Sequence, residues 1–322
     1  MLKDFYLTDL EFRLRFETEL EIDAYQAGGL LCRAFGAGLR RMVCINLREK
    51  CIECLAAESC AYQRIFSPIT PINSKRLVKN RDMPRGYIIK LPLDAGTYGP
   101  EKPFDFRMIV VGRLIQWLPY IIIPFSGLGR TGIGEKRIPF TFERLLARNA
   151  DGTYGQEIYS SEDNFVRPSR IASIAYNELK SLEKDRRASL SLAFLTPTFL
   201  MFNPEGKKGG SRPMRVPEFH VVIKRIRDRI NRLATAFCAT EFNTDYKELG
   251  AKAERIKISS IDGGWRERTR RKSNGASQDI SGFIGSITYE GNFEEFMPLL
   301  KLGEFLHVGK NTIFGSGWYR IE

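Results

Sequence analysis

Histidine is scarce in this chain, with two in 322 residues. His220 and His307 are therefore the only side chains whose ordinary titration falls near neutral pH. No Ser-His-Asp order is evident, and no clustered carboxylates suggest a two-metal nuclease. Long apolar runs are also missing. The longest, "LIQWLPYIIIPF" at 114–125, is too short to span a bilayer and carries two prolines. The opening "MLKDFYLTDL" has no apolar h-region. With six cysteines and no export signal, the expectation is a reducing cytoplasm and no membrane partner. Low-complexity tracts are lacking. So is the Rossmann glycine spacing, and no helix follows Gly317 as a phosphate loop would need, so nucleotide hydrolysis is not expected.

Base is what the chain has in excess. Fifty Lys and Arg stand against 38 Asp and Glu, a net charge of +12. Such an excess suggests a polyanionic partner, nucleic acid or an anionic membrane. The length allows a large core and two domains.

Residues 10–22, "LEFRLRFETELEI", alternate. Leu10, Phe12, Leu14, Phe16, Leu20 and Ile22 point one way and charged residues the other, which predicts a half-buried strand. Leu31, Phe35, Leu39 and Met42 recur at helical spacing, predicting a helix over 24–43 with Arg33, Arg40 and Arg41 on its polar side. A strand pair (86–93, 104–112), a helix near 113–121 and a strand near 136–142 complete a β-α-β-β-α-β order. The second half repeats it: a strand at 190–200, a helix at 220–237, a strand pair at 255–261 and 281–291, a helix limited by Pro298 at 293–305, and a last strand within 311–321. Two tandem ferredoxin-like domains of the α+β class are therefore expected. The polar, turn-rich segment 147–170 reads as an excursion or linker between them. The boundary is set at 1–185 and 186–322.

Three segments carry candidate chemistry. "HVGKNTIFGSGWYRIE" (307–322) and "GLGRTGIGEKRIPF" (127–140) are glycine-rich and sit near the last strand of each half. Gly309, Gly315 and Gly317 could bring backbone amides close to phosphate, with Lys310 and Arg130 adding charge; the alternative is a set of tight turns with no ligand. "WRERTRRKSNG" (265–275) gathers Arg266, Arg268, Arg270, Arg271 and Lys272 beside Trp265. Arginine forks bind phosphate and stack on bases, and the indole offers a stacking surface; the bland reading is a solvated loop. "CINLREKCIECLAAESC" places Cys44, Cys51, Cys54 and Cys60 close in sequence. The C-x2-C pair is half of a zinc knuckle and four thiolates would close a structural zinc site, although a second C-x2-C is absent. Reduced, partly buried thiols are the alternative. His307, beside Lys310, is the better proton-transfer candidate of the two histidines.

In combination, "CINLREKCIECLAAESCAYQRIF" (44–66), "LPYIIIPFSGLGRTGIG" (118–134), "FLTPT" (194–198), "RTRRKSN" with "SGFIGSITYEG" (268–291) and "LLKLGEFLHVGKNTIFGSGWYRI" (299–321) resemble the CRISPR-associated endoribonucleases that cut precursor CRISPR RNA within its repeats, members of the RAMP superfamily. The resemblance covers nearly the whole chain. It implies two ferredoxin-like domains and metal-independent cleavage with no cofactor for catalysis. In that chemistry the ribose 2′-OH attacks the adjacent phosphate, giving 2′,3′-cyclic phosphate and 5′-OH ends. It also implies CRISPR repeat RNA as partner, with effector-complex subunits or a homodimer as further ones. The family commonly places a histidine in or just after the first helix, with a tyrosine and a lysine. This sequence has Tyr25, Arg33, Arg40 and Arg41 there and no histidine, leaving His307, Lys310 and Tyr25 as the catalytic candidates. A non-catalytic subunit holding guide RNA and a general basic RNA-binding protein are the competing readings.

Overall fold

The protein is described from a computed structural model covering residues 2–23, 27–51, 53–68, 83–168, 171–181, 187–271 and 275–322. Tyr25 and Lys272 lie outside the described residues. The chain divides into two compact units: Phe5–Ile174 with Arg232–Ala239, and Met1–Asp4 with Ala175–Asn231 and Thr240–Glu322. The division falls at 174/175 rather than the expected 185/186, because a short helix there, α4 below, packs on the last helix of the second unit.

In the first unit, β1 (Tyr6–Phe16) and β2 (Leu20–Ile22) replace the single strand expected over 10–22. The chain leaves the main sheet after Phe16, where the Glu17 amide binds the Pro139 carbonyl, and β2 pairs instead with β4 (Gly96–Tyr98). Between them come α1 (Ala27–Val43), α2 (Ala61–Ile65) and β3 (Tyr87–Lys90). β5 (Phe104–Val111) is followed by a 3-10 turn at Gly112–Trp117 and α3 (Leu118–Thr131), then β6 (Phe140–Arg148). Pro119 sits in the first turn of α3, where a missing amide costs nothing. The main sheet runs β3-β5-β1-β6, the ferredoxin-like order. It continues into β7 (Tyr154–Ser160) and β8 (Phe165–Val166), and β9 (Ile174–Ala175) pairs with β1. The segment expected to be a linker therefore extends this sheet. Its alternation is faint because β7 is largely exposed at its start. The Asp151 carboxylate ties the β6–β7 turn by accepting from the Thr153 amide and hydroxyl, and those bonds hold its pKa below the usual value.

α1 and α3 pack on one face of this sheet through aromatic rings. Phe12 stacks on Phe106 at 4.9 Å, Phe125 of α3 meets Phe12 at 5.1 Å, and Phe35 of α1 stacks on Phe125 at 5.6 Å. These rings are all but fully buried, as the odd-even pattern of β1 requires. Burial on this scale is the main stabilising term of the unit.

The second unit contains α4 (Tyr176–Ser181), β10 (Ser189–Thr198), β11 (Leu200–Phe202), β12 (Arg212–Met214) and α5 (Phe219–Phe237), whose last turn groups with the first unit. Then follow α6 (Tyr246–Glu254), β13 (Lys257–Arg266), β14 (Thr269–Arg271), β15 (Ser277–Asp279), β16 (Gly282–Glu290), α7 (Met297–Leu306) and β17 (Tyr319–Ile321). The sheet order β13-β16-β10-β17 repeats the ferredoxin-like order. Pro298 opens α7 instead of limiting it. Gly303 of α7 lets the Tyr319 hydroxyl approach and donate to the Leu300 carbonyl at 2.6 Å; a Cβ there would stand 2.1 Å from that oxygen. Among the described residues, no helix is long and apolar enough to cross a membrane.

Candidate nucleic-acid interface

The end of β10 and the terminal glycine-rich segment form one knot in the second unit. β10 is interrupted between Phe194 and Thr198, at the sequence "LTPT". There the Thr196 hydroxyl donates to the Gly315 carbonyl and accepts from the Trp318 amide, both at 2.9 Å. The Gly317 amide donates to the Pro197 carbonyl, Lys310 to Phe199 and Val308 to Gly317. A Cβ on Gly317 (φ +74°) would lie 1.8 Å from the Val308 carbonyl oxygen, and one on Gly309 (φ +94°) 2.5 Å from that of Phe199. Only glycine fits at either place. The expected phosphate contact by Gly309, Gly315 and Gly317 is thus corrected. The Gly315 and Gly317 amides bind Thr312 and Pro197 and both residues are buried; close backbone packing accounts for Gly309 and Gly317, and a left-handed φ for Gly315.

His307 closes α7 with a positive φ, and its amide binds the Gly303 carbonyl. The ring is fully buried, stacks on Trp318 at 2° and pairs Nδ1 with the Ser316 carbonyl at 3.2 Å. In this arrangement it cannot touch a 2′-hydroxyl, which corrects the sequence expectation. His220 is half buried, edge-on to Phe202, with Nδ1 3.5 Å from Glu218.

The basic segment folds into the β14–β15 hairpin, held to the terminal segment. Arg270 is 8% exposed, lies 4.1 Å over the Phe314 ring and donates to Gln278 at 2.6 Å. Gln278 donates on to Asn311, whose amide nitrogen reaches the Asp279 carbonyl. Arg270 is therefore a brace, not a phosphate ligand. Arg266 and Arg268 are exposed, and Arg271 lies in β14.

Outside this brace runs a row of two rings flanked by cations. Lys310 Nζ lies 4.5 Å from the Phe199 ring, Phe199 meets Trp265 edge-on at 5.3 Å, and the Arg215 guanidinium sits 5.5 Å over Trp265. Phe199 and Arg215 carry no motif and were missed by sequence reasoning. Only their place beside the β10 interruption and before α5 brings them to Trp265. Phe199 is buried beneath Lys310 and Arg215 also pairs with Glu267 at 3.7 Å, so the row offers the half-buried Trp265 as a stacking surface for a base and the Lys310 ammonium as charge for a phosphate.

In the first unit, Arg33 is exposed on α1 and Arg130 on the last turn of α3. Gly132 ends α3, its amide binding the Leu128 carbonyl, and Ile133 and Ile138 close a tight turn after it. This upstream glycine segment is a helix end followed by a turn. Arg40 faces the cysteine segment and donates to the Leu47 carbonyl at 2.9 Å. Cys44, Cys51, Cys54 and Cys60 are free thiols lining one pocket. Burial pushes the Cys51 thiol pKa up, with Arg40 opposing.

Residues 5–171 match the model of the AF_1859 N-terminal domain family, and residues 192–319 that of the CRISPR-associated endoribonuclease Cas6 family. The chain belongs to the AF_1859 N-terminal domain family over its first half and carries the Cas6 family's domain in its second. Together the two matches cover both units. RNA cleavage in CRISPR RNA processing is the activity that the match to the Cas6 model supports. An uncharacterized protein of Archaeoglobus fulgidus is 23% identical over 291 residues, 89% of each chain. Among solved structures, Thermus thermophilus Cas6 matches at a TM-score of 0.51 with 16% identity over 99% of both chains. A Cas6 product complex matches at 0.56 with 17% identity over 98% of this chain and 99% of that one. A partial Cas6-RT-Cas1–Cas2 complex matches at 0.58 with 16% identity, over the whole of this chain and 47% of that one. These likenesses establish for this chain the tandem ferredoxin-like fold that the two sheet orders display.

Proposed function

We propose that this protein binds CRISPR repeat RNA along the row Lys310, Phe199, Trp265 and Arg215 and cleaves precursor CRISPR RNA without a metal ion. The carrying observation is that row, which pairs exposed charge with aromatic faces. Arg266 and Arg268 extend the charge toward the RNA backbone. In the reaction the 2′-OH loses its proton and bonds to phosphorus, the bond to the 5′ oxygen breaks, and that oxygen takes a proton. The products are a 2′,3′-cyclic phosphate and a 5′-OH. The Lys310 ammonium, exposed and not ion-paired among the described residues, stabilises the charge of the phosphorane. In-line positioning of the strand supplies the rest of the rate. His307 acts by holding the terminal segment.

The test is incubation with labelled repeat RNA in EDTA. Cleavage at one phosphodiester, abolished by 2′-deoxy substitution at that ribose and leaving a cyclic phosphate, supports the reading. A requirement for divalent metal, or a free 3′-OH, overturns it. One observation favours a second reading, a non-catalytic subunit that holds CRISPR RNA among effector partners. Among the described residues both histidines are engaged inside the fold. Tight binding of repeat RNA with no product selects that reading.

A further inference from the structure

The cysteine pocket of the first unit has no part in the RNA reading. Its walls hold four of the chain's six cysteines, Cys44, Cys51, Cys54 and Cys60. The segment carrying them has little else to fix it. Between α1 and α2 its described residues make short turns, such as Glu49 to Asn46 and Ala57 to Cys54. It leaves Ile45 81% and Leu55 fully exposed, so it buries little apolar surface of its own. Arg40 pins it through the Leu47 and Glu49 carbonyls, and Arg64 through that of Glu58.

One buried polar side chain lining this pocket lacks partners. Gln63, 5% exposed, lines the pocket, yet neither its amide oxygen nor its nitrogen has a hydrogen-bond partner. The Arg40 guanidinium already interacts with the Cys44 thiol, its Nε buried beside it. Leaving a group such as the Gln63 amide unsatisfied is costly, and native proteins rarely do so without a missing partner. Thiolate sulfur would accept from the Gln63 amide nitrogen as well as from Arg40.

We propose that Cys44, Cys51, Cys54 and Cys60 together bind one zinc-class divalent ion as a closed tetrathiolate site, with Arg40 and Gln63 donating hydrogen bonds to its sulfurs. Among the described residues no three ligand side chains stand close enough to hold an ion as they are. Zinc–sulfur bonds are about 2.3 Å, so the short-turned segment draws inward when the ion binds. Coupling of this kind between metal and local folding is ordinary for structural sites. Each thiol gives its proton to solvent as its sulfur bonds the ion, so binding strengthens as pH rises. Four thiolates around a divalent ion leave a net negative charge, which the Arg40 guanidinium offsets.

The full chain, purified without chelator, should carry about one zinc by elemental mass spectrometry. Alkylation mapped by mass spectrometry should find the four cysteines protected until a strong chelator is added. A Cys51→Ser, Cys54→Ser double variant should lose the metal, whereas Cys238→Ser should keep it. If the double variant misfolds, cobalt reconstitution of the unaltered chain decides, since a tetrathiolate site gives sulfur-to-cobalt charge-transfer and tetrahedral d–d bands. Gln63→Leu should weaken zinc binding by about tenfold or more. Absence of zinc with all four thiols reactive, or zinc retained by the folded double variant, overturns the proposal. Iron with labile sulfide overturns the identity of the ion. No readout uses RNA, so failure here leaves the RNA reading untouched.

Discussion

The two sheets share one strand order and handle charge in opposite ways. On the first, the charged positions of β1 are neutralised in place. Asp9 pairs with Arg107, Glu11 with Arg148, Arg13 with Asp105 and Arg15 with Glu143. Asp9 is fully buried and Glu11 nearly so. On the second, Lys310 and Arg266 are exposed with no ion pair among the described residues, and Lys310 rests on an aromatic face. A net charge of +12 is therefore not an even coat. Much of the arginine in the first sheet is structural, while Lys310 and Arg266 near Trp265 in the second unit are left to meet a polyanion.

The largest effect should come from breaking the paired side. Asp9→Ala leaves Arg107 beside a buried void where a carboxylate was, and should cost about 3–5 kcal/mol of stability. Chemical denaturation of the full chain measures it. A loss below about 1 kcal/mol would mean that the pair is a surface contact of ordinary weight. Next is Gly317→Ala, where the added methyl meets the Val308 carbonyl at 1.8 Å. Strain of about 2 kcal/mol is expected, together with loosening of the terminal segment under hydrogen exchange. Gly127→Ala is its control: nothing lies within 4 Å of that Cβ, so stability should hold or rise.

The third effect separates the sheets by function. Replacing Lys310 and Arg266 with alanine should lower the salt dependence of repeat-RNA binding by about two in log-log slope, one for each phosphate no longer neutralised. The Arg13→Ala, Asp105→Ala pair should leave that slope alone. Equal slopes for both variants would erase the contrast between the two surfaces.

Much of this architecture is legible in the sequence, because period-2 and period-3.6 patterns report which face is covered. α1 and α5 appear close to where their apolar spacing puts them, whereas the strand expected over 10–22 is split into β1 and β2. What the pattern hides is the strand that buries little, such as β7, whose polar residues read as a linker. The candidate site is only half legible. Trp265, Arg266 and Lys310 stand out as residue types in glycine- or arginine-rich runs. Arg270 looks the same in sequence but is a brace over Phe314, and composition cannot tell a buried arginine from an offered one. Phe199 and Arg215 are invisible because their role comes from a strand interruption that brings distant segments together.

The smallest expected effect falls on His307, where the residue type alone suggests chemistry. Asparagine tolerates the positive φ that this position adopts, so His307→Asn removes the imidazole with little backbone strain. If the ring only stacks on Trp318 and pairs with Ser316, single-turnover cleavage by the folded fraction should change by no more than about threefold. Loss of a general acid or base would instead cost roughly 10²–10⁴-fold. A drop of that size with the fold intact would require the terminal segment to open and deliver the ring to RNA. The knot that Thr196, Gly315 and Gly317 form would then be a gate, and the second sheet would hold its reactive group as deeply as the first holds Asp9.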